Sequence, residues 1–195
     1  MPAPTSSRLM PARVGSRSPL LAASYNARGH SDNKKPRVLV TGAGGFVGRH
    51  LVPFLVAQGY KVIAASRTAS SFADPNIVSV TLPDLSKIIE WQPFLDQCDA
   101  VVHLAGIAHR YADDDLYDPV NHRAASSLAL AISQSGSKHL VFISTIAAQS
   151  GSYADRELTE SDFPTPSNAY GRSKFAAEQA IRAAGISFTI LRPVV

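Results

Sequence analysis

The sequence predicts an α/β fold: a doubly wound parallel sheet with helices on both faces. Three observations predict it. A short β-branched run leads into a glycine cluster within Arg37-Val38-Leu39-Val40-Thr41-Gly42-Ala43-Gly44-Gly45-Phe46-Val47-Gly48. Continuous apolar runs recur, such as Ala100-Val101-Val102-His103-Leu104 and Leu140-Val141-Phe142-Ile143. Such runs suit parallel strands covered on both faces. Helical patterns alternate with them, and that alternation is the signature of a doubly wound sheet.

In chain order, the expected strands are 37–41, 61–65, 77–81, 100–104, 139–144 and 187–191. The expected helices lie near 46–58, 119–135 and 168–184. The first helix shows apolar spacing through Leu51, Val52, Phe54, Leu55 and Val56. Pro53 falls inside it and removes a backbone bond, at a cost of roughly 3 kcal/mol if truly interior, so a kink or an early end is expected. Asp113-Asp114-Asp115 reads as a solvated loop. No internal repeat is visible.

The glycine cluster is strand, tight turn, helix, the context a dinucleotide-binding loop requires. Gly42, Gly45 and Gly48 let the backbone turn and approach a pyrophosphate, whose charge meets the amides at the helix start. The competing reading is a glycine-rich turn without a ligand. More than a hundred residues downstream stands Tyr170-Gly171-Arg172-Ser173-Lys174. Residues four apart share a helix face, so the phenol and the ammonium can point at one place. A free phenol has a pKa of roughly 10, and a neighbouring cation lowers it. Such a tyrosine can exchange a proton with a sugar or alcohol hydroxyl. The competing reading is a plain surface helix.

Composition narrows the classes. The 195 residues suffice for one well-packed domain, and 45% hydrophobic with 17% charged content fits a globular core. No apolar run approaches the ~20 residues needed to span a membrane. The single cysteine, Cys98, excludes an intramolecular disulfide or a cysteine metal cluster, and no metal site is expected. The net charge of +4 belongs to the tail. Residues 1–35 carry six Lys/Arg against one acid, Asp32, and the remainder carries 13 basic and 14 acidic residues. A nucleic-acid-binding face on the domain is therefore not expected. The tail, residues 1–35, is Arg- and Ser-rich and acid-poor, as in an organellar transit peptide. A disordered extension or a start codon placed too far upstream gives the same composition. The expected compartment is cytoplasmic, or organellar if the tail is a targeting segment. The domain is expected over 36–195. Val195 stands at the end of a buried-type strand, which reads as a chain cut short.

Further segments join the two motifs in a fixed order: Asp84-Leu85 after the third strand, Val102-His103-Leu104-Ala105-Gly106 after the fourth, and Asn121 opening the next helix. Ile143-Ser144-Thr145 then ends the fifth strand, ahead of Tyr170, and Leu191-Arg192-Pro193 leaves the sixth. In this order they resemble the extended short-chain dehydrogenase/reductases, which include nucleotide-sugar epimerases, dehydratases and ketoreductases. The resemblance covers residues 36–195.

It implies a Rossmann fold with the C-terminal sugar-binding portion missing. It implies cofactor contacts from Gly42, Gly44, Gly45, Phe46, Val47, Gly48, Asp84, Leu85, Leu104, Ala105 and Gly106. By the same resemblance Tyr170 is the acid/base, and Lys174 lowers its pKa and binds the nicotinamide ribose. Thr145 holds the substrate oxygen, with Ser144 as runner-up, because the segment after Thr145 departs from the family's usual wording. Asn121 supports the active-site helix, against a plain helix cap. His103 reads as a buried strand histidine. The second strand ends in Ser66-Arg67 with no acid, which favours NADP over NAD, since an arginine suits a 2′-phosphate. A solvent-exposed turn residue is the alternative for Arg67.

The expected function is an NAD(P)-dependent epimerase or reductase on a nucleotide sugar, of 4-epimerase or 4-ketoreductase type. A dehydratase would carry an Asp-Glu pair where Ile146-Ala147 stands. The alternative is a non-catalytic dinucleotide-binding module or cofactor sensor without a substrate pocket. A homodimer through the helices around Tyr170 is a further expectation.

Overall fold

The structure, a computed structural model, describes residues 35–68, 72–108, 113–136, 138–151 and 156–194. The tail expected at 1–35 lies outside the described residues except for Lys35, and Val195 lies outside as well.

Six strands form one sheet: β1 (Arg37–Thr41), β2 (Lys61–Ser66), β3 (Ile77–Thr81), β4 (Ala100–His103), β5 (His139–Ile143) and β6 (Ser187–Leu191). Their order is β3-β2-β1-β4-β5-β6, and every pairing is parallel. The order reverses between β1 and β4, so the crevice for a ligand opens at their carboxyl ends. The expected doubly wound parallel sheet is present, each strand within a residue of its expected bounds.

Side-chain alternation sends Val38 and Val40 to one face and Leu39 to the other. The first face packs Val62, Ala64 and Val52 of helix α1 (Phe46–Ala57). The second packs Ile63, Val101, Leu140 and Phe142 against Leu128 and Ile132 of α4 (Ala124–Gln134) and Ala177 and Ile181 of α5 (Ala169–Ala183). Two single-turn helices, α2 (Gln92–Leu95) and α3 (Asp114–Tyr117), complete the set, with a π-helical stretch at Asp118–Arg123 joining α3 to α4.

Two expectations need correction. Of the kink or early end expected at Pro53, the early end is overturned: helix α1 runs on to Ala57. Pro53 and Arg49 both lie on the solvent face, so the Arg49 carbonyl that loses its amide partner can turn to water. Asp114 and Asp115 are not loop; they form the first turn of α3, where acids meet the positive end of the helix. Cys98 is buried, and burial pushes its thiol up to about 11. Among the described residues, no helix is long and apolar enough to cross a membrane.

Candidate active site

The turn after β1 is shaped by what its residues lack. Gly42 has φ +73°, where a side chain is strained, and a Cβ there would stand 2.7 Å from the Ala105 amide nitrogen. The Gly45 amide donates to Gly42 O at 2.9 Å, and Gly45 sits at the start of α1 with no side-chain cap. The first amides of a helix have no partner within it. Gly48 is buried against the turn, while Gly44 is half-buried and Gly45, Phe46 and Val47 are exposed. A pyrophosphate fits such a cradle: no side chain blocks it, and the helix end favours negative charge.

Thr41 staples β1 to β4 beneath this turn. Its Oγ1 accepts from the Ala105 amide at 3.3 Å and pairs with His103 Nδ1 at 2.8 Å. His103 is fully buried between Trp91 and Phe142, and its Nε2 has no hydrogen-bond partner among the described residues. Burial, then the Lys174 charge, pushes its pKa down to about 3, so it is a neutral core residue. Leu104 is half-buried, Ala105 buried and Gly106 exposed along the crevice.

At the end of β2, Ser66 is buried and donates to Thr68 O at 2.6 Å, while Arg67 is exposed. Asp84 is exposed beyond β3 and accepts from the Ser86 amide at 2.9 Å. That bond lowers its pKa first, and the Lys87 and Arg67 charges add to it. Arg67 therefore lies within electrostatic reach of an acid. Leu85 turns inward to the core beside Trp91 and Leu95.

Helix α5 carries the rest. Asn168 caps it by accepting from the Gly171 amide at 2.7 Å. Gly171 lies so close to the turn at Ile146–Ala148 that a Cβ would clash with Ala147 O. The structure brings Thr145 and Tyr170 together. Burial raises the Tyr170 pKa, and a hydrogen bond with the Thr145 hydroxyl pulls it the other way. The Tyr117 ring stands 5.9 Å away, centroid to centroid.

The expected lowering of the Tyr170 pKa by Lys174 is not found. Lys174 Nζ donates to Ile143 O at 2.6 Å and sits 4.1 Å from the centre of the Phe142 ring. Its own pKa falls to about 7, because burial disfavours its charge more than Glu178 favours it. Ser144 is also set apart from Thr145. Its hydroxyl donates to Glu178 Oε1 at 2.5 Å, so it is occupied away from Tyr170. Asn121 is not a helix cap. It lies buried in the π-helical stretch, accepting from the Ile107 amide at 2.8 Å and donating to Ile107 O at 3.0 Å and Ser173 Oγ at 3.2 Å. It ties the β4 exit to α5.

Sequence reasoning missed the buried group behind these residues. Glu178 is fully buried and receives Arg192 through two bonds, Nε at 2.9 Å and Nη2 at 2.5 Å. Arg192 Nη1 also donates to Gln149 Oε1. The signal for Glu178 was present: it continues the four-residue spacing of Tyr170 and Lys174. Gln149 had none. A groove of about 350 Å³, lined in part by Asp118 and Arg172, runs beside α5 but includes none of Thr145, Tyr170 and Lys174. Among the described residues, no cluster of acids, histidines or cysteines is suited to a metal.

The comparisons with known proteins agree with this architecture. The NAD dependent epimerase/dehydratase family model matches residues 38–195. The chain is 34% identical over 169 residues to UDP-glucose 4-epimerase 4 of Oryza sativa subsp. japonica, covering 74% of this chain and 44% of that protein. It is 31% identical over 176 residues to the UDP-glucose 4-epimerase of Vibrio cholerae, covering 84% and 53% respectively. Among solved structures, MoeE5 in complex with UDP-glucuronic acid and NAD superposes with a TM-score of 0.68 at 31% identity, covering 80% of this chain and 54% of that one. The chain spans about half the length of the curated relatives it matches. With the family model matched along residues 38–195, this chain belongs to the NAD dependent epimerase/dehydratase family.

Proposed function

We propose that this chain binds a nicotinamide dinucleotide across the β1/β4 crevice and serves hydride transfer at a hydroxyl-bearing carbon of a nucleotide sugar, as a 4-epimerase. The observation that carries the reading is the close approach of the start of α5, where Tyr170 stands, to the turn after Thr145 at the carboxyl end of β5, one helical turn from buried Lys174. The glycine turn supports the cofactor half of the reading, since its cradle suits a pyrophosphate. A bound nicotinamide would supply the hydride acceptor and donor. The chain's own residues handle the proton and the geometry. Thr145 and Tyr170 present two hydroxyls to the substrate oxygen. Tyr170 takes and returns its proton, and Lys174 sets the local charge.

The Ser66-Arg67 end of β2 favours a second reading, a 4-ketoreductase using NADP. Asp84 weakens that preference by partly offsetting the Arg67 charge.

Replacing Tyr170 by Phe in the full-length protein tests the main reading. Turnover should fall by about 10²–10⁴-fold while dinucleotide binding, read by calorimetry, persists. Undiminished turnover would remove Tyr170 from the reaction. Product analysis separates the two readings: an epimer formed without net cofactor consumption marks the epimerase, stoichiometric NADPH loss the reductase.

A further inference from the structure

Two consecutive residues at the exit of β5, Ile143 and Ser144, are held by two residues four apart on α5. Ile143 O accepts from Lys174 Nζ at 2.6 Å. Ser144 Oγ donates to Glu178 Oε1 at 2.5 Å. The Tyr170 end of α5 lies against the turn after Thr145, where a Cβ on Gly171 would meet Ala147 O. The contacts run along one face of the helix, since residues four apart stack one above the other. A slip of one helical turn, about 5.4 Å, would break both bonds.

Glu178 extends the lock to other elements. Both its oxygens accept from Arg192, which follows β6, and Arg192 reaches Gln149. Gln149 Nε2 in turn donates to Asp162 O at 2.7 Å and Thr159 O at 3.3 Å. The backbone repeats the join: the Ser144 amide donates to Leu191 O at 2.7 Å and the Ile146 amide to Pro193 O at 3.1 Å. Ser144 is thus pinned by both its main chain and its side chain, and Thr145 is the next residue.

We propose that Glu178 is a positioning residue: its buried carboxylate sets the register of α5 on the β5 exit, and so holds the Thr145 and Tyr170 hydroxyls together. The inference rests on the reading of those two residues as the proton-handling pair. A buried charge is retained only where it is paired and hydrogen-bonded. Here both oxygens are used on residues from two different strand exits. Glu178 also favours the charged form of Lys174, against the effect of burial.

The test is the Tyr170 signal in the full chain, labelled at tyrosine Cζ with carbon-13 and free of dinucleotide, near neutral pH. Tyr170→Phe identifies the resonance. Thr145→Ala gives the displacement that follows loss of the Thr145 bond. Glu178→Gln and Ser144→Ala should displace the signal in the same direction and by a comparable amount, with the Tyr60 signal unmoved. A merely structural role would lower stability without this local displacement. If Glu178→Gln does not fold, Ser144→Ala decides, because it removes one hydroxyl and leaves the Glu178–Arg192 pair intact. If Thr145→Ala moves the signal and neither other variant does, the pair stands and the positioning role is overturned. If Thr145→Ala itself leaves the signal in place, the pair is absent and both the inference and the catalytic reading fall.

Discussion

The glycine turn and the exit of β5 both lie at the carboxyl end of the sheet, yet they are built in opposite ways. The glycine turn is made by missing side chains within a contiguous stretch, 42–48, and is held mainly by backbone contacts. The β5 exit is made by side chains gathered from Gln149, Tyr170, Lys174, Glu178 and Arg192. The contiguous motif keeps Phe46 and Val47 exposed on its rim. A gathered one fails when any buried partner is lost, because the others keep their charge or their unmet bonds.

That contrast can be broken by substitution, and the largest effect belongs to the β5 exit. Glu178→Ala leaves Arg192 without its carboxylate and should cost about 3–5 kcal/mol in chemical denaturation. Removing Arg192 as well should recover part of that loss, and strict additivity of the two would show that the pair is not coupled.

Next comes Gly171→Ala, whose new methyl meets Ala147 O. The expected loss is about 1–3 kcal/mol by the same assay, and an unchanged midpoint would mean that α5 and the turn separate freely.

His103 sharpens the comparison from beneath both regions. Its folded pKa, about 3, lies below the ordinary histidine value of 6.5. The unfolded chain therefore binds the proton first as pH falls. The His103 contribution to stability should be level above pH ~6.5 and decline between there and pH ~3, at up to about 1.4 kcal/mol per pH unit. His103→Gln should flatten that limb relative to wild type, and an equal slope in both would assign the acid sensitivity elsewhere.

The smallest effect is expected on the rim of the cofactor side. Arg67→Asp should weaken NADPH binding about tenfold, on the order of one exposed charge contact, and spare NADH. An equal loss for both would end the NADP preference.

Much of the fold was legible because its signals are local. Strand runs, the glycine turn and the Tyr170/Lys174 spacing are each written within a dozen residues. Asn121 was legible only through resemblance; its link to Ser173 joins positions 52 apart. Ser144 and Thr145 were left unordered by the sequence, and the structure separated them by giving Ser144 to Glu178. The direction of the Tyr170 shift was misread because spacing predicts proximity to Lys174 but not where the ammonium points.

The sequence by itself determined the parallel sheet, the order of its elements and the glycine turn after β1, since periodicity and glycine placement act over short stretches of chain. Only the tertiary structure decided the charges within the site and the partners of its buried groups. Burial, the Ile143 carbonyl and the Arg192–Glu178 pair come from segments distant in the chain, and no local pattern specifies what a folded neighbour will bring.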